Sequence, residues 1–191
     1  MTRTPRPISA FLFGMLAAST FALPVEAKLP NLFGDVPIVE AVREGSLKEA
    51  NAAIVGGASA NTRAADGTPI IVIAAMVRSL EIVELLIENG ARPDAKAKDE
   101  STALTVAAAN GDVAIATYLL EHKADVNEPG ALRETALIKA ARARHNEVVK
   151  LLLERGADRE DTDGAGATAL DIAERNGWTD TAALLKKASS K

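Results

Sequence analysis

The strongest constraint on the fold of this chain is an interval of 33 residues at which its residue types recur. The interval relates a series of large aliphatic residues, a series of alanines, and a series of helix-ending positions that are each followed by alanine. The members of the three series are Ile38, Ile71, Leu104, Leu137 and Leu170; Ala41, Ala74, Ala107, Ala140 and Ala173; and Gly57, Gly90, Lys123 and Gly156. Such a chain is expected to fold as a stack of like units that bury their apolar faces against one another.

One copy of the repeat encodes two short amphipathic helices. Residues 135–141 start with the hydroxyl of Thr135, which caps a helix, and place apolar residues three and four apart. A second amphipathic run over 147–155 stops at Gly156, the residue type that best adopts the left-handed conformation at a helix end. The polar stretch that follows has to turn the chain back toward the next copy. The pattern therefore predicts helix, turn, helix and projecting turn in each unit.

This arrangement resembles the ankyrin repeat, whose first helix carries a Thr-Pro-Leu-His-x-Ala signature. The signature is recognisable at 102–107, 135–140 and 168–173, without its histidine, and Thr68 and Pro69 stand one place early in the second copy. The resemblance implies an all-α ankyrin-repeat solenoid of about five helix-turn-helix units. The expected domain covers 35–188, with units at about 35–63, 64–96, 97–129, 130–162 and 163–188.

Three charged residues occupy glycine positions of the repeat. Lys123 stands where glycine ends the second helix in other copies, so its side chain is expected to be held at a strained positive φ. Arg78 and Arg144 replace the glycine between the two helices, and we expect looser turns at both.

The first 27 residues have the character of an export signal. Arg3 and Arg6 precede an apolar stretch over 8–23, and Val25 and Ala27 place small or β-branched groups at the two positions that a signal peptidase examines. We expect a signal peptide over 1–27 cleaved after Ala27, with cleavage after Ala22 as an alternative, and a linker over 28–34. The stretch is shorter than the roughly 20 residues needed to span a bilayer, so we expect cleavage. The alternative is that the segment is retained as a membrane anchor.

Export would place the domain in a periplasm or outside the cell. A net charge of −4 provides no broad positive field, so no nucleic-acid partner is expected. The chain has no cysteine, which excludes disulfides and thiolate chemistry. His122 and His145 fall at different edges of different copies, and no spacing of nucleophile, histidine and acid recurs. The sequence therefore predicts no enzyme, no metal site and no cofactor.

The resemblance assigns partner binding to the tips of the turns and the exposed side of the first helices, which together form a concave face. Register transfers this role to Asp66, Thr68, Met76, Val77, Lys98, Asp99, Ser101, Asn110, Leu132, Arg133, Glu134, Arg142 and Arg175. His122 and Arg155, near the ends of second helices, occupy positions that can also face the groove. Met76, Val77 and Leu132 are apolar at positions expected to face solvent, which is typical of a contact surface. The alternative for Met76 and Val77 is packing against a neighbouring copy.

Four of these residues are arginines from adjacent copies, Arg133, Arg142, Arg155 and Arg175. Together they would form a basic spot suited to an acidic patch on a partner protein. The alternative is that they pair with local acids such as Glu134 or Glu174.

These features predict an exported, monomeric protein-protein interaction module with no integral membrane span after cleavage. Its expected role is to support or regulate an envelope or periplasmic partner. One alternative is an immunity or inhibitor protein that neutralises a toxin outside the cytoplasm. Another is a membrane-tethered scaffold, which requires the N-terminal segment to stay attached.

Overall fold

The structure is a computed structural model that describes residues 36–187. Over this range the chain forms ten α-helices and one short 3-10 helix, with no β-strand. The expected all-α repeat solenoid is confirmed. The predicted signal peptide, the linker over 28–34 and the cleavage site after Ala27 lie outside the described residues.

The helices come in five pairs, one pair in each repeat unit. The first helices are α1 (Pro37–Arg43), α3 (Ile70–Met76), α5 (Ala103–Asn110), α7 (Ala136–Arg142) and α9 (Ala169–Arg175). The second helices are α2 (Leu47–Val55), α4 (Leu80–Glu88), α6 (Val113–Glu121), α8 (Asn146–Glu154) and α10 (Thr179–Lys187). First helices pack on first helices of adjacent units, and second helices pack on second helices. The stack therefore has two helical layers.

The core of the stack lies between the units. The alanine series contributes Ala74, Ala107 and Ala140, which are completely buried where first helices of adjacent units meet. Side chains as small as alanine let these helices approach closely, while larger aliphatic residues such as Leu104 and Leu137 fill the space beside them. The 33-residue interval thus records the positions at which one unit touches the next.

Threonine hydroxyls start three of the first helices. Thr102, Thr135 and Thr168 each accept a hydrogen bond from the backbone N–H three residues ahead. Thr168 and Asp171 also form a reciprocal capping box. The second unit differs, because Pro69 occupies this position and provides no side-chain cap. Because the signature stands one residue early in that unit, its first helix begins without a side-chain cap.

Lys123 adopts the left-handed conformation that its register predicts. Its φ is 68°, compared with 84° at Gly90 and 87° at Gly156 in the equivalent positions. The backbone of this unit therefore ends its second helix as the other units do, and it carries the steric cost of a Cβ at positive φ.

The expectation that Arg78 and Arg144 loosen the turns between helices is wrong. Both residues have φ of 60°, in the same left-handed region as Gly111 at 76°. The same backbone hydrogen bond also closes each turn, from Ser79 to the carbonyl of Ala74 and from its counterpart in every other unit. The turns are therefore wound alike with either residue type.

Both arginines make contacts to the following unit that help offset their backbone cost. Arg78 donates to Oδ1 of Asp112 through Nε at 2.9 Å and Nη2 at 2.6 Å. The guanidinium of Arg144 lies 6.0 Å from the ring centroid of Trp178, within the range of a cation-π contact. Trp178 is thereby held between Arg144 and the core of the last unit, against which it packs.

A glycine at the same position accommodates a different neighbour. His145 lies over Gly111, and its Nε2 is 3.0 Å from the carbonyl oxygen of Ala109. A Cβ added to Gly111 would come within 2.6 Å of Nδ1 of His145. The residue between the helices of one unit is therefore matched to the residue that starts the second helix of the next.

A ladder of hydrogen bonds joins the loops of neighbouring units. In each step a side-chain oxygen accepts the backbone N–H 31 residues further along the chain. The donor-acceptor pairs are Arg92 to Asn61 at 2.9 Å, Asp125 to Asp94 at 3.0 Å and Asp158 to Asn127 at 2.8 Å. Asn61 also donates through Nδ2 to the carbonyl of Gly90 at 2.8 Å. An ionised Asp94 can accept in this ladder but cannot donate.

Lys123→Gly is expected to stabilise the protein by about 1 kcal/mol, because glycine adopts positive φ without crowding from a Cβ. The free energy of unfolding in urea measures the effect. Gly156→Ala is the matched control, since a Cβ there meets no atom within 4 Å and only the backbone cost is added. It should destabilise the protein by a similar amount. Unchanged stability of K123G would contradict the assigned strain.

Asp94→Asn is expected to stabilise the protein by about 1 kcal/mol at neutral pH, because the amide adds a donor and removes a partly buried charge. Burial raises the pKa of Asp94 above its ordinary value of 3.8, and the nearby carboxylates of Asp125 and Glu128 raise it further. The wild-type protein therefore loses stability as the pH rises through this raised pKa. The advantage of D94N should shrink as the pH falls toward 3.8, and urea unfolding across pH tests this. Asn61→Asp is the mirror control; equal effects of D94N at every pH would argue against the mechanism.

Candidate functional site

The residues predicted to bind a partner fall into three groups. Residues at or next to the ends of first helices are Met76, Val77, Asn110, Arg142 and Arg175. Residues of the projecting turns are Asp66, Thr68, Lys98, Asp99, Ser101, Leu132, Arg133 and Glu134. Residues that follow second helices are His122 and Arg155. We call the first two groups together the inner face, and describe the third group separately.

Projecting turns open the second to fifth repeat units, and each is numbered after its unit. These four turns share one backbone hydrogen bond, in which an N–H donates to the carbonyl four residues ahead. The bonds run from Ala64 to Thr68, Ala97 to Ser101, Gly130 to Glu134 and Asp163 to Ala167. Two tips are closed further by a carboxylate, since Asp66 accepts from the N–H of Thr68 at 2.8 Å and Asp99 from that of Ser101 at 3.1 Å. The bond from Thr68 holds the pKa of Asp66 below its usual range. These two carboxylates are therefore structural as well as exposed.

Neighbouring turns also contact each other. The aliphatic part of Lys98 lies over Gly67 of the preceding turn, where an added Cβ would come within 2.9 Å of Cε. Arg43 of the first unit forms an ion pair with Asp66 of the second turn, with Nη2 and Oδ2 3.6 Å apart. The turns thus form a continuous row.

Two predicted contact residues are not available on the surface. Ser101 is buried, and its hydroxyl donates to Oδ2 of Asp99 at 2.9 Å. Glu134 is only 5% exposed, and both its carboxylate oxygens form ion pairs within the chain. Both residues were predicted to face solvent in the projecting turns. They are buried instead, and they stabilise those turns.

Exposed apolar side chains on the second and third units form what we call the apolar floor of the inner face. Met76 is 50% exposed and Val77 37% exposed, so packing against neighbouring copies leaves much of each side chain in solvent. Ala109, one repeat beyond Met76, is also exposed. Asn110 crosses between the units by donating through Nδ2 to the carbonyl of Ala75 at 3.3 Å. The apolar floor is therefore made by Met76, Val77 and Ala109.

Buried Glu134 is the centre of an ion-pair cluster beside this floor. Its Oε2 lies 2.6 Å from Nζ of Lys139, and its Oε1 lies 2.8 Å from Nη2 of Arg142. The same Nη2 is 2.9 Å from Oδ2 of buried Asp163. The N–H of Ala167 bonds to Asp163 and holds the pKa of this carboxyl below its usual value, and Arg142 adds to that shift. Arg142 therefore neutralises two buried carboxylates of its own chain.

The four predicted arginines do not share one environment. Arg142 pairs with local acids, as the alternative reading holds, and Arg155 pairs with Glu121 at 3.4 Å. Glu174, the other acid considered, pairs with Lys186 at 2.6 Å instead. Arg133 and Arg175 are exposed and form no ion pair with another described residue. Two of the four charges are thus left for a partner.

Both histidines are engaged in local contacts. His122 stacks on Tyr118 with ring centroids 4.1 Å apart, and its Nδ1 lies 2.8 Å from the carbonyl oxygen of the same residue. His145 contacts Gly111 of the preceding unit, as described above. Among residues 36–187, no cluster of three or more histidine, aspartate or glutamate side chains is placed to hold a metal ion. Nor is any helix in this range long and apolar enough to cross a membrane.

Sequence reasoning missed the roles of Lys139 and Asp163. Asp163 lies in a polar turn, where a carboxylate is ordinarily solvated, but it is buried and accepts from the N–H groups of Ala165 and Ala167. The sequence signal for it is weak, because the interaction that explains its burial comes from Arg142 in the preceding unit.

Comparison with known families identifies the repeat. Residues 38–130 match a family model described as ankyrin repeats (3 copies), and residues 119–173 match one described as ankyrin repeats (many copies). The two matches overlap and together run from α1 to α9. A search of curated proteins gives no significant match.

Arg142→Ala is expected to lower the free energy of unfolding by about 1–3 kcal/mol, because it leaves buried acceptors of Glu134 and Asp163 without their donor. Arg175→Ala is the matched control. It removes the same side chain at the equivalent position of the next unit, where no ion pair is lost, and it should change stability by about 0.5 kcal/mol or less. Thermal and urea unfolding compare the two variants, and equal effects would mean that the cluster contributes nothing.

Proposed function

The chain belongs to the ankyrin-repeat family, and we propose that it is an exported member that binds one envelope protein through its inner face. A stack of ankyrin repeats is a protein-interaction module. The finer parts of the proposal concern where the protein acts, which surface it uses and what binding achieves.

The observation that carries the choice of surface is the apolar floor. Met76 and Val77 remain 50% and 37% exposed on a face whose other residues are mostly polar. Covering what is left of such side chains contributes on the order of 1 kcal/mol each. Apolar residues at the centre of an interface, with polar residues around them, commonly carry much of the binding energy. A partner that covers Met76 and Val77 would remove this exposed apolar surface from water.

The distribution of charged side chains also favours the inner face as the binding surface. The cations of Lys139 and Arg142, beside the floor, are already paired with Glu134, whereas Arg175 on the inner face of the next unit is unpaired among the described residues. A partner with an acidic patch beside an apolar contact would suit this arrangement. We propose that a single copy of the chain binds such a partner.

The proposed location rests on residues 1–27. An export signal there, cleaved after Ala27, would deliver the repeat domain to the periplasm or the cell exterior. Intact-mass measurement of the protein from an envelope fraction tests this step. A species that retains residues 1–27 in the membrane fraction would favour a tethered scaffold instead, and a protein found only in the cytoplasm would contradict export.

The proposed role is support or regulation of the partner. Deletion of the gene is then expected to reduce an envelope activity that the partner carries. Very tight one-to-one binding to a toxin would instead identify an inhibitor, and deletion would then sensitise the cell to that toxin.

Met76→Ser combined with Val77→Ser is expected to weaken partner binding at least about tenfold, because the floor loses its apolar contact, equivalent to about 1.4 kcal/mol. Isothermal titration with a partner identified by crosslinking measures the Kd. Val55→Ser is the control, since Val55 is exposed on second helix α2, away from the inner face. Unfolding free energies of both variants should stay close to that of the wild type. Unchanged affinity of M76S/V77S would show that the partner binds elsewhere.

A further inference from the structure

The fourth projecting turn differs from the other three at its tip. Leu132 is 78% exposed there, at the position that Asp66, Asp99 and Ala165 occupy in the other turns. A large aliphatic side chain with this exposure has no packing role in the chain itself. An exposed apolar side chain of this size is typical of a contact with another molecule.

The backbone of this tip is also strained. Leu132 and Arg133 both have positive φ, at 57° and 60°, and they lie in the short 3-10 helix Ala131–Arg133. The other turns have one such residue each, namely Gly67, Glu100 and Gly166. Branched leucine and long arginine are poorly suited to this conformation, which asparagine and glycine adopt readily. Strain that the sequence could relieve so simply is often kept for function.

The strained tip is firmly supported from below. The carbonyl of Leu132 accepts a hydrogen bond of 2.7 Å from the N–H of Gly164 in the fifth turn. Glu134, directly after the tip, is buried and held by Lys139 and Arg142. Gly130, directly before it, is packed so closely on Thr105 that a Cβ would lie 3.1 Å from Cγ2. The backbone that carries the leucine is therefore held in place by its neighbours, which lowers the entropy lost on binding.

Arg133 places a cation next to the exposed leucine. Its side chain is exposed and forms no ion pair within 36–187; its charge only lowers the pKa of nearby Asp161, which burial raises. An apolar side chain with an adjacent free cation is complementary to an apolar pocket that has a carboxylate at its rim.

We propose that Leu132 and Arg133 determine partner specificity, with Leu132 inserted into an apolar pocket of the partner and Arg133 paired with an aspartate or glutamate at the rim. This inference rests on the proposed function, because it requires a protein partner on the inner face. It adds a second contact, in the fourth turn, to the apolar floor.

The test first identifies the partner with the full-length protein in its own cells. A photoreactive residue is placed at position 77 in one variant and at position 132 in another. Crosslinking of the same protein from both positions is expected, with the site attached to position 132 in a pocket lined by apolar side chains. If neither position crosslinks any protein, the proposed function and this inference both fail.

The second step uses the purified partner and the double variant Leu132→Asn with Arg133→Gly. This variant should unfold at higher denaturant concentration, because both new residues tolerate positive φ, yet bind the partner at least about tenfold more weakly. Lys123→Gly is the matched control, since it relieves the same kind of strain outside the inner face and should leave the Kd unchanged. Wild-type affinity of the double variant, with M76S/V77S still impaired, would overturn this inference and leave the proposed function standing.

The third step tests the charge. Arg133→Glu should weaken binding about tenfold or more, and replacing the partner's rim carboxylate with lysine should restore much of the loss. Full affinity of R133E, or no rescue by any acidic residue of the pocket, would overturn the assigned ion pair.

Discussion

Close packing of first helices through alanine is the contact on which the rest of the structure depends. Ala74, Ala107 and Ala140 lie where adjacent units touch, and a larger side chain at any of them would push two units apart. Because each unit rests on the next, a displacement at one contact would also misalign the projecting turns. The row of turns, the ladder of loop hydrogen bonds and the apolar floor all depend on this spacing.

The inner face combines structural and exposed groups at very short range. Glu134 and Arg142 stand at positions that register alone assigns to the surface, but Glu134 is buried and its ion pair with Arg142 holds the fourth turn. Met76 and Val77, at positions of the same kind in another unit, have no such partner and stay in solvent. The surface available to a partner is thus the part of the inner face whose side chains form no such contacts within the chain.

The sequence predicts what repeats and misses what does not. The helix pairs and the positive φ of Lys123 follow from register, because every unit solves the same packing problem. The burial of Glu134 and Asp163 does not follow, since it depends on one arginine that has no counterpart in the second and third units. The tight turns at Arg78 and Arg144 do not follow from register either. There, contacts to Asp112 and Trp178 lie in the next unit and are not visible within one copy of the motif.

The pairing of each inter-helix residue with the next unit has a consequence for how such an array can change in length. Excision of one whole repeat, which keeps the periodicity intact, would leave Arg78 facing His145, or Gly111 facing Trp178. The ion pair of Arg78 with Asp112, or the packing of His145 on Gly111, would then be lost. The units of this protein are consequently not interchangeable at these junctions, even where the helical pattern survives.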